Sequence, residues 1–193
     1  HGISARILVM ADFLPGEREA LFEFDLTPAI HNLEHLEQLE QMAARHCRRF
    51  PFHLKLDTGM GRLGVRATAE EIVERLGRCL HLEFEGLMTH LASAAIYDSR
   101  QTEDHIEHFR KVLQGLEHRG LRPRYQHLAA TVPVAYGRRE AWGNMVRPGH
   151  AIYGYISPVR GPAPPPLLHV EPVLTWRATV LEVKELPPGS PVG

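Results

Sequence analysis

Cysteine is scarce: Cys47 and Cys79 are the only two in 193 residues. Two cysteines without a spacing pattern exclude a disulfide-stapled scaffold and a cysteine zinc site, and fit a reduced, cytoplasmic setting. No apolar run reaches the roughly 18 residues a membrane helix needs, and no signal peptide is evident, so no membrane partner is expected. Neither charge dominates: 22 Lys and Arg stand against 23 Asp and Glu, for a net charge of −1. That balance gives no reason to expect nucleic acid as a partner. An initiator Met is missing too. The chain opens at His1-Gly2, meets an apolar run by Ile7, and stops at Gly193 just after a β-prone stretch, so it reads as an internal piece of a longer protein. The remaining composition, 44% hydrophobic and 23% charged, is that of an ordinary globular domain.

Apolar runs and helical periodicities alternate along most of the chain. Ile7–Met10, about Leu26–Ile30, Phe52–Leu56, Phe84–Thr89, about Tyr125–Leu128 and Asn144–Arg147 read as strands. Leu33, Leu36, Leu39 and Met42 share one stripe of a helix near 32–46. Thr68 with Glu71 forms a capping box ahead of Ile72, Leu76 and Cys79. Ile106, Phe109, Leu113 and Leu116 mark a long helix closed by Gly120. Repeated βα units imply a parallel α/β sheet, doubly wound or barrel-like. About six units are counted; a closed (β/α)8 barrel takes eight, so a truncated TIM-type barrel is expected over 1–156. Residues 157–172 carry six prolines and read as a surface linker. Residues 173–193 contain the alternating, β-prone Val173–Leu186, expected to be a half-buried antiparallel strand opening a second, β-rich domain.

The densest chemistry lies in His53–Gly64, HLKLDTGMGRLG. A buried-strand pattern stops at Asp57-Thr58, and Gly59, Gly61 and Gly64 then punctuate a loop around Arg62. Such glycines let backbone approach a ligand or take positive φ. In a parallel barrel, working residues sit at the C-terminal strand ends and in the following loops. Lys55, Arg62, His90, Thr131, Arg147 and Gly149 all fall at such positions. Each also has a plainer reading: Lys55 snorkels, His90 is a satisfied core histidine, Arg147 pairs with a surface carboxylate. His105 and His108 lie on one helix without a third ligand, so no metal is expected.

Lys55–Gly64 (KLDTGMGRLG) resembles a signature of bacterial alanine racemases. EGLMTH (85–90), YQHLAAT (125–131) and NMVRPGHAIYG (144–154) resemble further family stretches in the same order. The family implies an enzyme dependent on pyridoxal 5′-phosphate (PLP), with a barrel followed by a β-rich domain. By that resemblance Arg147 faces the pyridine nitrogen. A guanidinium does not readily give up its proton, so the ring nitrogen stays neutral and the cofactor is a weaker electron sink. His90 is implied to hydrogen-bond Arg147 and stack near the ring. Arg62 is implied to contact the phenolic oxygen and the substrate carboxylate. Lys55 is implied to carry a carbamate, turning a cation beside Arg62 into an anion. Thr131, with the backbone N–H groups of Gly149 and His150, is implied to cradle the phosphate, and Met10 to line the pocket, although Met10 reads as well as plain core.

Two departures stand out. Ala130-Thr131 occupies the place of a usual Asn-Ser, and His150 stands where an aliphatic residue is common. The family's tethering lysine and its tyrosine base match no residue here; they are expected before His1 and after Gly193. The resemblance therefore implies a parent that interconverts L- and D-alanine with two bases and supplies peptidoglycan synthesis as a cytoplasmic homodimer. The present chain is expected to be inactive alone. The alternatives are another PLP barrel enzyme (a serine, lysine or broad-specificity racemase, or a D-threonine aldolase) and a PLP carrier or regulatory barrel without turnover.

Overall fold

The computed structural model describes residue 2 and residues 4–191. The fold is built from five parallel strands in the order β1-β2-β3-β4-β5: β1 (Ile7–Val9), β2 (Leu26–Ile30), β3 (Phe50–Lys55), β4 (Leu82–Met88) and β5 (Tyr125–His127). Helices α1 (Arg18–Glu23), α2 (Glu34–Arg45), α3 (Ala69–Leu76) and α4 (Arg100–His118) connect them. Sequential order in an all-parallel sheet is the arrangement of a barrel wall, here curled and open between β1 and β5. The short α5 (Thr131–Ala135) and α6 (Gly149–Ile152) follow β5.

Local chemistry explains the elements. Thr68 accepts from the Glu71 N–H while the Glu71 carboxylate takes the Thr68 N–H, the reciprocal cap its spacing predicts. The long helix α4 ends on Gly120 at φ +82, a left-handed position that suits glycine. Leu36, Leu39, Met42 and Ala43 of α2, Ile72 of α3 and Ile106, Phe109, Val112 and Leu116 of α4 are buried in one core with Phe50, Phe52 and Leu54 of β3. That core lies between the sheet and its helices. It leaves the C-terminal strand ends to carry polar groups.

Two expectations are corrected. The run at 144–147 makes no sixth strand. Asn144 N–H donates to the Gln126 carbonyl and Arg147 N–H to the Ala129 carbonyl, leaving one isolated bridge between Ala130 and Arg147. The chain thus docks beside β5 for only a residue or two before Pro148, which cannot donate to a ladder. Val173–Leu186 forms no strand: Val173, Leu174, Trp176, Val180, Leu181, Val183 and Leu186 are all exposed. Alternation creates a face to bury, but a strand needs a partner for its backbone, and among the described residues no neighbouring strand meets this one. Val192 and Gly193, the end of the expected β domain, lie outside the described residues.

Candidate functional site

A cavity of about 350 Å³ opens at the C-terminal end of β4 and β5. His90, Ala130, Thr131, Arg147, Gly149 and His150 line it together with small apolar residues. Five of the residues singled out from sequence therefore converge: His90, Thr131, Arg147, Gly149 and His150.

Arg147 is the centre. One terminal nitrogen, Nη1, donates to His127 Nδ1 at 2.7 Å and to the His127 carbonyl at 2.9 Å. The other, Nη2, donates to the Thr89 carbonyl at 2.6 Å and the Leu128 carbonyl at 3.2 Å. A guanidinium has five N–H groups, and four are consumed by β4, β5 and the loops that leave them. Nε–H is left without a protein acceptor among the described residues. Burial lowers the Arg147 pKa to about 10, so it remains charged at neutral pH.

The expectation that His90 hydrogen-bonds Arg147 is corrected: His127 holds that place. His127 is the last residue of β5 and is completely buried. His90 lines the cavity instead. Burial, and then Arg147, Lys55 and Arg62, lower its pKa to about 4, so it is a neutral ring at physiological pH.

The phosphate side also differs from expectation. His150 N–H donates to Thr131 Oγ1 at 3.0 Å, and Gly149 N–H donates to the Arg147 carbonyl at 2.8 Å. Both amides are thus engaged within the protein, and what this corner offers a ligand is the Thr131 hydroxyl hydrogen. Accepting from His150 orients that hydroxyl.

Lys55 and Arg62 stand next to the cavity but do not line it. Lys55, at the end of β3, is buried, and burial followed by Arg62 and Arg147 lowers its pKa. Arg62 is exposed on the glycine loop. Asp57 shapes that loop. Its carboxylate accepts from the N–H of Gly59 at 3.1 Å and of Gly61 at 2.9 Å, and from Arg66 Nε at 2.8 Å. Burial alone would raise the Asp57 pKa; these donors bring it below the usual value. Met10 sits half exposed at the end of β1 and does not line the cavity. Among the described residues no group of His, Cys, Asp or Glu is placed to hold a metal, and no helix is long and apolar enough to cross a membrane.

The residues present fit a phosphorylated pyridine. One directed N–H on a fixed cation suits an unprotonated ring nitrogen, and an oriented hydroxyl suits a phosphate oxygen. A neutral imidazole beside them offers a ring face. Sequence reading missed His127, because a histidine inside an apolar strand pattern carries no mark of its partner; its place one residue from the end of the strand pattern, near the barrel mouth, was the available signal.

Barrel wall and cavity together define a parallel β/α domain with a polar-lined cavity at the C-terminal strand ends. The family model for the N-terminal domain of alanine racemase matches residues 1–158, and the chain belongs to that family. The alanine racemases of Carboxydothermus hydrogenoformans and Halothermothrix orenii are 36% and 34% identical to it. The alignments cover 97% and 98% of this chain but 50% and 49% of those proteins. The chain thus spans about half the length of the curated relatives it matches. Among solved structures, the alanine racemase from Bacillus anthracis with bound L-Ala-P superposes with a TM-score of 0.74 at 27% identity, covering 89% of this chain and 44% of that one. The Clostridium difficile enzyme in complex with cycloserine gives a TM-score of 0.77 at 22% identity, over 89% of this chain and 47% of that one, a likeness of fold.

Proposed function

We propose that this chain is the cofactor-holding part of a PLP-dependent racemase that interconverts L- and D-alanine. The observation that carries the reading is Arg147, which lines the cavity with four of its N–H groups spent on the barrel and Nε–H without a protein acceptor among the described residues. PLP, when bound, draws electrons from the α-carbon of an amino acid and makes its proton removable. Arg147 would donate to the pyridine nitrogen and, as a cation that does not give up its proton, would keep that nitrogen unprotonated. Thr131 donates its hydroxyl to the phosphate. His90 packs its neutral ring beside the cofactor. Arg62 binds the substrate carboxylate, and Lys55, carbamylated, pairs with it. Gly149 and His150 act by fixing the backbone around Thr131.

The domain plan proposed is an incomplete barrel over 1–156, a linker over 157–172 and the opening of a β domain from 173. The tethering lysine and the tyrosine base belong to parts of the parent outside these residues, and the parent is a cytoplasmic homodimer serving peptidoglycan synthesis. In the 193-residue chain no residue stands in for either base, and removing one member of such a pair already costs orders of magnitude in rate.

The test has two arms. The complete gene product is assayed with L-alanine, L-serine and L-lysine; alanine is expected to be racemised fastest, and absence of racemisation overturns the reading. The 193-residue chain is mixed with PLP, reduced with borohydride and mapped. No stoichiometric adduct and no D-alanine are expected; a single adduct with D-alanine formation would place the catalytic lysine inside these residues.

A further inference from the structure

Behind Arg147 a line of polar side chains crosses the concave face of the sheet. His127 Nε2 lies 2.8 Å from His53 Nδ1 on β3. His53 Nε2 lies 3.6 Å from Glu85 Oε2 on β4, an electrostatic contact beyond ordinary hydrogen-bond length. Glu85 accepts from Arg6 in a two-pronged pair, Nη1 to Oε1 at 2.6 Å and Nη2 to Oε2 at 2.7 Å. His53, Glu85 and His127 are buried, whereas Arg6 is half exposed at the sheet's far end.

Two backbone features exist to make this line. His53 and His127 sit on strands separated by β4, and between them β4 carries Gly86. A Cβ at Gly86 would lie 2.4 Å from His53 Nδ1, so only glycine leaves room for the rings to meet. The register between β3 and β4 also slips by one residue, from Phe52 opposite Phe84 to His53 opposite Gly86. The inserted residue is Glu85. A bulge of this kind re-aims a side chain, and here it sets the carboxylate against both His53 and Arg6.

The hydrogens can be placed in one way only. Arg147 Nη1 is a donor with no lone pair to offer, so His127 Nδ1 must accept and its proton sits on Nε2. His127 Nε2–H then donates to His53 Nδ1, which puts the His53 proton on Nε2, facing Glu85. The reverse assignment would set two N–H groups against each other at Arg147. Neutral rings are required throughout, and burial followed by Arg147 lowers the His127 pKa to about 2. Glu85 stays ionised, chiefly through its hydrogen bond from Arg6.

We propose that Glu85, acting through His53 and His127, is a positioning residue for Arg147: Arg147 sets the direction of the hydrogens, and the carboxylate, held by Arg6, stabilises the far end of the line in that same direction, so that His127 stays seated on Nη1 and Nε–H is left as the guanidinium donor without a protein acceptor among the described residues. The proposal rests on the cofactor reading above for its purpose, but its test needs no cofactor.

The 193-residue chain, labelled with 15N in histidine and arginine, is examined at neutral pH by two-bond ring correlation. His53 and His127 are expected in the Nε2–H form alone, with one slowly exchanging Arg147 Nε–H signal. Finding His127 in the Nδ1–H form overturns the proposal. In Glu85→Gln a second His127 form and a broadened, faster-exchanging Arg147 signal are expected, with Glu85→Asp restoring the single form. Where Glu85→Gln does not fold, His53→Gln cuts the line one link nearer Arg147 and carries the same expectation. A variant that leaves the His127 form and the Arg147 signal unchanged shows that Glu85 is only a structural ion pair. Adding PLP separates the two readings: no shift at Arg147 Nε–H counts against the cofactor, while the ring forms alone decide the line.

Discussion

Gly64 runs against the backbone of Asp57. A Cβ on Gly64 would sit 2.7 Å from the Asp57 nitrogen and 2.8 Å from the Leu56 carbonyl carbon, and its φ of +123 is one that side chains rarely adopt. The close pass lets Val65 bridge back to Leu56 and exchange backbone hydrogen bonds with Lys55 and Asp57, which ties the glycine loop to the end of β3. Gly64→Ala meets both backbone strain and overlap with main-chain atoms that cannot swing away. It is expected to lower stability by about 2–4 kcal/mol, read from the urea midpoint. A loss under about 0.5 kcal/mol, the range of a neutral surface change, would contradict the geometry.

Gly86→Ala strikes a side chain instead of backbone, so His53 can yield. A loss of about 1–3 kcal/mol is expected, as for other overpacked interiors. The far-UV circular dichroism should be unchanged while the His53 and His127 ring signals shift. Unmoved rings would mean that Gly86 is not what admits them to one another.

Acid should destabilise the chain before its carboxylates titrate. An imidazole in the unfolded chain takes its proton near pH 6.5, whereas folded His90 holds off to about 4 and folded His127 to about 2. Below about 6.5 the unfolded state therefore binds more protons. Stability is full above that pH and falls as pH drops, by about 1.4 kcal/mol per pH unit for a buried imidazole such as His127. Asp57 and Glu85, whose folded pKa values lie below their ordinary ones, add their own loss once pH falls under the usual carboxylate range. Urea midpoints at pH 7, 6 and 5 should decline steadily; a flat series would show the imidazoles charged in the folded state.

Lys55 is a residue whose state depends on the medium. Burial, Arg62 and Arg147 all favour its neutral amine, the form that adds carbon dioxide. In 13C-bicarbonate at neutral pH a carbamate resonance is expected, absent in Lys55→Met and lost on acidification as the amine protonates. A spectrum identical for wild type and Lys55→Met would leave Lys55 an ammonium facing two guanidinium groups.

Much of this was legible in the residues, and the reasons differ by element. The glycine loop announced itself because Gly59, Gly61 and Gly64 do take φ of +144, +72 and +123, a demand composition can display. The helices were readable from their stripes, and the Thr68–Glu71 cap from its spacing. Residues 173–186 form no strand in this chain: alternation reports a side chain's preference for burial and says nothing about whether a neighbouring strand is present. His127, His53 and Glu85 were hidden for another reason. Their partners lie on other strands, and the slip that inserts Glu85 leaves no trace in local pattern. Arg147 was singled out as the end of an expected sixth strand and by family resemblance, but the count of its spent hydrogens needs coordinates.

The polar line also has a history in time. Arg6 meets Glu85 across 79 residues of chain, His53 meets His127 across 74, and Arg147 reaches Thr89 across 58. No segment can assemble it locally, and contacts of such separation must first overcome the entropy of closing long loops. The α3 cap and the β3–β4 pairing can form early, while the guanidinium is secured only when β5 and the turn after it have docked. Refolding should therefore show helical signal returning ahead of the His127 ring signals, and the pocket should be the last part of the molecule to acquire its shape.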